Sequence, residues 1–288
     1  MTNKNKLMIL GSSASVLTAG TLILLKSIAF FTTASVAILA SLFDSIQDLM
    51  TSLINFISVH HSVQPADKEH RFGHGKAQGI GSFVQGLILL VSAGWLFFES
   101  IIHLGRNEIP NHNISGIIII LITLLLTAIL IRFQAFVIRQ TNSLSIQADN
   151  AHYTGDLMMN IGVLVSLISS YMFSIGWVDS VFGLLVSFYL FKSAFFILRS
   201  SVSMLMDEEM PNHVQQKIKN QIHSVKEVKA IQDLRTRQSG SQMFIQMTLY
   251  LDGTLPLIKA HMIADKCENL IHEIYPDSEV IIHLEPEK

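Results

Sequence analysis

The chain of 288 residues is 50% hydrophobic and only 15% charged, with a formal net charge of −2 and a mean hydropathy of +0.44. That is too apolar for an ordinary water-soluble protein of this size, and it lacks the basic surplus that a nucleic-acid partner needs. A single cysteine, Cys267, excludes an internal disulfide framework and any thiolate-rich metal cluster.

A bilayer core of about 30 Å takes about 20 apolar residues in helical form. Six windows qualify: 7–31, 35–59, 78–103, 114–136, 145–173 and 178–198. The first is too long for a cleaved leader, holds Lys26 and offers no convincing cleavage site, so it reads as a retained span. Lys26, near its outer end, is expected to snorkel to the interface. The second window carries Asp44 and Asp48 in ILASLFDSIQDLMTSLINF, one turn apart on one helix face. Next comes a loop at 60–77, HHSVQPADKEHRFGHGKA, in which Asp67, His70 and His74 fall within eight residues. Those three can hold a metal ion; the competing reading is a solvated, charged loop. The fifth window repeats the pattern of the second, with His152 and Asp156 one turn apart in NAHYTGDLMMNIGVLVSL. Asn55, Gln85 and Asn160 read as polar glue between helices.

Carrying a carboxylate into hydrocarbon costs about 2.5–3.5 kcal/mol on insertion scales, so two matched pairs mark function rather than chance. Counted from the span ends at about 1.5 Å per residue, both pairs fall near mid-bilayer. Three carboxylates and an imidazole suit a divalent transition metal in tetrahedral geometry. An unperturbed imidazole titrates near pH 6.5 or so and binds metal only when neutral, so protons and metal compete for it. Lys4, Lys6, Lys68, Arg71, Lys76, Arg139 and Arg199 flank one side of the spans and Arg106 alone the other, which puts both termini in the cytoplasm.

After the sixth window the character changes. Residues 207–288 hold 9 of the 20 Lys+Arg and 13 of the 22 Asp+Glu, a net of −4, whereas residues 1–206 net +2. The expected domains are therefore 1–206, a transmembrane six-helix bundle, and 207–288, a small cytoplasmic α+β domain. Pro211 opens a periodic helix, Ser239-Gly240-Ser241 turns a hairpin, and a second helix and a closing strand complete an α-β-β-α-β order.

The stretches DSIQD, QPADKEHRFGHGKA, ADNAHYTGDLMMN, DLRTRQSG, KAHMIADK and VIIHLEP occur in that order behind and within this layout. Together they resemble the cation diffusion facilitators, and among them the bacterial ferrous-iron/zinc efflux type, over essentially the whole length. The resemblance implies a homodimeric inner-membrane antiporter that exports divalent metal against protons, with a metallochaperone-like cytoplasmic domain. It maps the transport site onto Asp44, Asp48, His152 and Asp156, the residues that intramembrane polarity selects. Asp at position 44 makes the site harder than a two-His, two-Asp one, which favours zinc and iron with cadmium, manganese and cobalt as further cargoes. It also implies a single-ion loop site on Asp67, His70 and His74, and a charge interlock between Lys76 and Asp207. In the tail, His261 and His283 match a dimer-bridging two-metal site and Glu285 stands where Asp is usual. Gln232 and Thr248 replace two further histidines, which leaves at most one ion on His261, His283 and Glu285.

Three rivals predict different features. A membrane-anchored metal sensor would concentrate its ligands in the tail. An intramembrane metallohydrolase would need an HExxH-type helix, which the spans lack. A channel would avoid a tight midplane ligand set, because strong binding slows permeation.

Overall fold

The computed structural model describes residues 3–33, 36–104, 114–173 and 177–287. The expected outer connection at 105–113, with Arg106, lies outside these residues, as do 34–35 and 174–176. The chain divides into two compact units, Met1–Val202 and Ser203–Lys288.

Six long helices build the first unit: α1 (Asn3–Thr33), α2 (Val36–Ser62), α3 (Ala77–Leu104), α4 (Ile114–Thr141), α5 (Leu144–Phe173) and α6 (Val178–Leu205), the last running on to the start of the second. Four helical stretches, Asn3–Thr32, Ala77–Leu104, Ile117–Thr141 and Val178–Leu205, are long and apolar enough to cross a membrane. Over their described residues α2 and α5, the helices with the Asp and His pairs, do not meet that measure. α2 packs on α1, α3 and α5, and α5 on α1, α2, α3 and α4, while Phe43, Met50 and Ile57 of α2 and Ile168 of α5 stay exposed.

Burial in this unit is inverted relative to a water-soluble protein. Leu17, Leu24, Val91, Trp95, Phe98, Leu125 and Phe195 are exposed, while Ser12, Ser15, Ser52, Asn55, Gln85, Gln134 and Asp149 are buried. An apolar exterior around a polar seam is what lipid selects, because hydrocarbon satisfies no hydrogen bond. Small residues permit the close approach of the helices. A Cβ on Gly81 would stand 1.8 Å from the Ser58 Oγ of α2, so only glycine fits there.

The second unit runs α7 (Asn212–His223), β1 (Ala230–Ser239), β2 (Gln242–Asp252), α8 (Leu257–Ile274) and β3 (Ser278–Glu287), the order the sequence predicts. The strands lie β1-β2-β3, the first pair antiparallel and the second parallel, so α8 is the crossover of a β-α-β unit. Gly240, at φ 61°, turns the hairpin. Val214, Ile218 and Ile222, each four residues apart, drive α7 onto the sheet, where Ile245, Met247 and Leu249 alternate inward from β2. Each such side chain, fully buried, contributes about 1.5–3 kcal/mol. Cys267 closes this core, and burial pushes its thiol up to about 11.

Candidate metal centre

The second and fifth helices meet at the predicted residues. Asp48 lies 12 positions into α2 and Asp156 12 positions into α5, about 18 Å from either helix start and near the middle of each. His152 Nε2 stands 3.1 Å from Asp48 Oδ1 and 3.6 Å from Asp156 Oδ2. One ligand atom from each of Asp48, His152 and Asp156 lies within 4.8 Å of the other two. Asp156 Oδ2 is buried and has no hydrogen-bond partner among the described residues. The side chains of His152 and Asp48 keep only 14% and 16% of their exposure and that of Asp156 37%, so the cluster opens on the Asp156 side. Asp44, the fourth predicted residue, is exposed one turn nearer the start of α2 and is not gathered into the group.

Neighbouring helices hold the cluster in place. Tyr153 is buried, with its hydroxyl 2.8 Å from Ser52 Oγ, a second tie between α2 and α5. Gly155, between the two α5 ligands, admits Leu190 of α6; a Cβ there would lie 2.7 Å from Leu190 Cδ2. Three positions before His152, Asp149 is fully buried and its Oδ2 accepts hydrogen bonds from Ser15 of α1, Asn55 Nδ2 of α2 at 3.0 Å and Gln134 Nε2 of α4 at 2.6 Å. Four helices are thus knotted at one carboxylate oxygen. Asn55 is helix glue as expected, although its partner is a charge-bearing group, and Gln85 Nε2 likewise donates to the Thr51 carbonyl at 3.2 Å. Asn160 instead bonds within its own helix, to the Asp156 carbonyl at 2.8 Å.

Lys26 corrects the sequence reading. It is 5% exposed and turned inward, its Nζ donating to the Ser41 carbonyl at 3.0 Å and to Ser45 Oγ at 2.7 Å on α2. Snorkelling assumes a stem lying along lipid, whereas here α2 offers acceptors and negative charge closer than the interface. Asp149 went unread for another reason: its partners are 134, 94 and 15 residues away, and no periodicity links them.

A second cluster forms in the loop between α2 and α3. Asp67 Oδ1 accepts the amides of Glu69 at 2.9 Å and His70 at 2.6 Å, a turn that folds the segment back on itself. Those bonds, the His70 amide foremost, hold the Asp67 carboxyl below the usual carboxylate range. His74 Nε2 lies 3.3 Å from Asp67 Oδ2 and His70 Nδ1 3.5 Å from Asp67 Oδ1. The His74 Nδ1 sits 3.1 Å from the Pro65 carbonyl, which leaves Nε2 to face the carboxylate. Gly73, at φ 77°, makes the turn between the two histidines. Lys76 precedes α3, its carbonyl accepting the Ile80 amide at 3.1 Å.

The cytoplasmic unit does not gather its three candidates within one chain. His261 pairs with Asp265 along α8 at 2.9 Å, and His283 with Glu285 along β3 at 2.9 Å. The register sets Gln232 opposite Thr248 and Thr248 opposite His283, so the departures from the expected ligand set stand side by side in one row. Asp207 pairs with Arg237 of its own unit at 3.2 Å.

With that geometry in hand, known proteins supply the context. The family description "Cation efflux transmembrane domain" matches residues 12–206, and "Cation efflux protein, cytoplasmic domain" matches residues 210–287. The cation-efflux pump FieF of Klebsiella pneumoniae subsp. pneumoniae is 40% identical over 270 residues, covering 93% of this chain and 89% of its own. FieF of Citrobacter koseri is 40% identical over 275 residues, covering 95% and 91%.

Proposed function

The chain belongs to the cation efflux family, the cation diffusion facilitators, and on that premise we propose that it exports divalent metal, zinc and ferrous iron foremost, in exchange for protons by alternating access. Cadmium, manganese and cobalt are further cargoes of the same ligand chemistry. The observation that carries this reading is the convergence of Asp48, His152 and Asp156 from two helices at mid-length, with a buried Asp156 oxygen left unbonded among the described residues. Asp44, on the same face of α2 one turn away, supplies the fourth ligand when the ion enters.

The exchange follows from the contact between His152 and Asp48. Two electronegative atoms 3.1 Å apart share a hydrogen, and the metal claims the same nitrogen and oxygen. An arriving ion displaces that hydrogen, and a departing ion is replaced by one. Alternating access then needs only that the seam of α2 and α5 open to one side at a time. The positive residues flanking the spans put both termini and the cytoplasmic unit on the inner side of the plasma membrane, with six crossings. The cytoplasmic unit joins two copies into a homodimer, with the Lys76 and Asp207 charges as the interlock at the membrane.

The loop cluster of Asp67, His70 and His74 holds a resident ion that stiffens the turn into α3. In the cytoplasmic unit His261, His283 and Glu285 are left with at most one ion, because Gln232 and Thr248 offer no comparable ligand. That shortage also speaks against a sensor, whose ligands would sit there.

Proteoliposomes loaded at low pH and offered zinc, ferrous iron, cadmium or manganese outside test the proposal. Metal uptake driven by the proton gradient is expected, with zinc and iron fastest. Wild-type flux in the Asp48→Ala protein would refute the site.

A further inference from the structure

Lys26, a buried ionisable group of the membrane unit, has no part in the exchange just described. Its ammonium lies on the α2 stripe formed by Ser41, Asp44, Ser45 and Asp48, bonded to the Ser41 carbonyl and the Ser45 hydroxyl. Ser45 precedes Asp48 by three positions and follows Asp44 by one, so the cation sits within about one turn of both carboxylates. The carboxylates on that stripe are Asp44 and Asp48. Packed against α1 are α2, α4 and α5. The charges on α4, Arg132 and Arg139, lie about 15 Å or more deeper along the bundle. On α5, the Asp149 carboxylate is engaged by three donors. Two short hydrogen bonds alone do not account for an ammonium here, because a serine or glutamine would make them without the cost of burying charge.

We propose that Lys26 is a resident counter-cation of the Asp44, Asp48, His152 and Asp156 site, matching its net charge to a divalent ion. The Asp44, Asp48 and Asp156 carboxylates, a neutral His152 imidazole and the Lys26 ammonium sum to minus two, so a divalent guest neutralises this set; Asp149, whose Oδ2 is held by three donors, stands outside the sum. A trivalent ion would leave it positive and a monovalent ion negative, and either residue of charge is costly away from water. Lys26 acts through the carboxylates and touches no cargo; it is a specificity-determining neighbour. This inference rests on the transport-site reading above.

The test uses the full-length chain in detergent with the loop and cytoplasmic candidates removed by His70→Ala, His74→Ala, His261→Ala and His283→Ala, so that cadmium titrates only the membrane site. Lys26→Gln keeps donors for Ser41 and Ser45 while deleting the charge, and Lys26→Met deletes both. Each is expected to bind cadmium about tenfold tighter, since a repelling charge has left a low-dielectric site. Lanthanum, ineffective against the parent, is expected to displace cadmium from both. In liposomes KM and kcat fall together, because a tighter site releases more slowly. Lys26→Arg, which keeps the charge, returns affinity toward the parent. A merely structural role predicts the opposite sign, weaker cadmium binding with no gain of lanthanum, and that result in Lys26→Gln overturns the inference. The Asp48→Ala control separates the two levels. Persistent cadmium binding there removes the site itself, whereas its loss beside an unchanged Lys26→Gln affinity removes only the role of Lys26.

Discussion

The two three-ligand clusters use the same side chains in opposite ways. In the loop, Asp67, His70 and His74 come from eight consecutive residues, shaped by two amide bonds to one carboxylate and a glycine at φ 77°. In the bundle, Asp48 and His152 are 104 residues apart and meet only because α2 and α5 are packed together. A local cluster can hold an ion whatever the bundle does. A cluster split between two helices changes whenever those helices move, which a carrier requires and a resident site does not. The contrast fits the proposed division, cargo in the bundle and support in the loop.

The sharpest way to break that division is Asp48→Ala. Proton-driven zinc flux is expected to drop by at least about 100-fold, beyond the roughly 10–100-fold typical of losing a group that only supports a ligand, while equilibrium dialysis still finds the loop ion bound. Replacing His70 and His74 together by alanine should do the reverse. Bound zinc falls by one per chain and flux persists. The thermal stabilisation given by zinc shrinks, by about 2.7 kcal/mol where metal stands at 100 times its dissociation constant. Rebuilding the cytoplasmic row is a gain-of-function check. Gln232→His with Thr248→His, on the Asp48→Ala and His74→Ala background, is expected to create zinc binding at micromolar concentration, read by calorimetry on the full chain. The smallest effect concerns acid. Because the folded Asp67 carboxyl titrates below its unfolded value, its support of the turn is complete above about pH 3.9 and disappears as pH falls through the folded value. Amide exchange at Glu69 and His70 in metal-free protein should thus stay slow at pH 5 and speed up only in stronger acid.

How much was legible beforehand depended on the range of the interaction. Helical spacing exposed the Asp44/Asp48 and His152/Asp156 pairs, because residues four apart share a face regardless of what surrounds them. The loop trio was legible because its members lie within eight residues, as were the element order of the cytoplasmic unit and its hairpin at Gly240. Which pair members converge was not, and the structure leaves Asp44 outside the group that Asp48, His152 and Asp156 form. Lys26 was misjudged because its direction is set by acceptors on another helix. Asp149 was missed because three donors from three helices reach it, a coincidence that only packing creates. The alignment of Gln232, Thr248 and His283 into one row needed the register of both strand pairs, including the irregularity between Gln232 and Arg235.

One consequence of the cytoplasmic core is practical. The chain has a single thiol, that of Cys267, sealed among aliphatic side chains and protonated at any working pH. Thiolate is the form that alkylating probes attack, so the native protein is silent toward maleimide and methanethiosulfonate labels. Reporter cysteines can be engineered onto α2 and α5 without first deleting anything, and paired spin labels there would record the separation of the two helices as the gradient is applied.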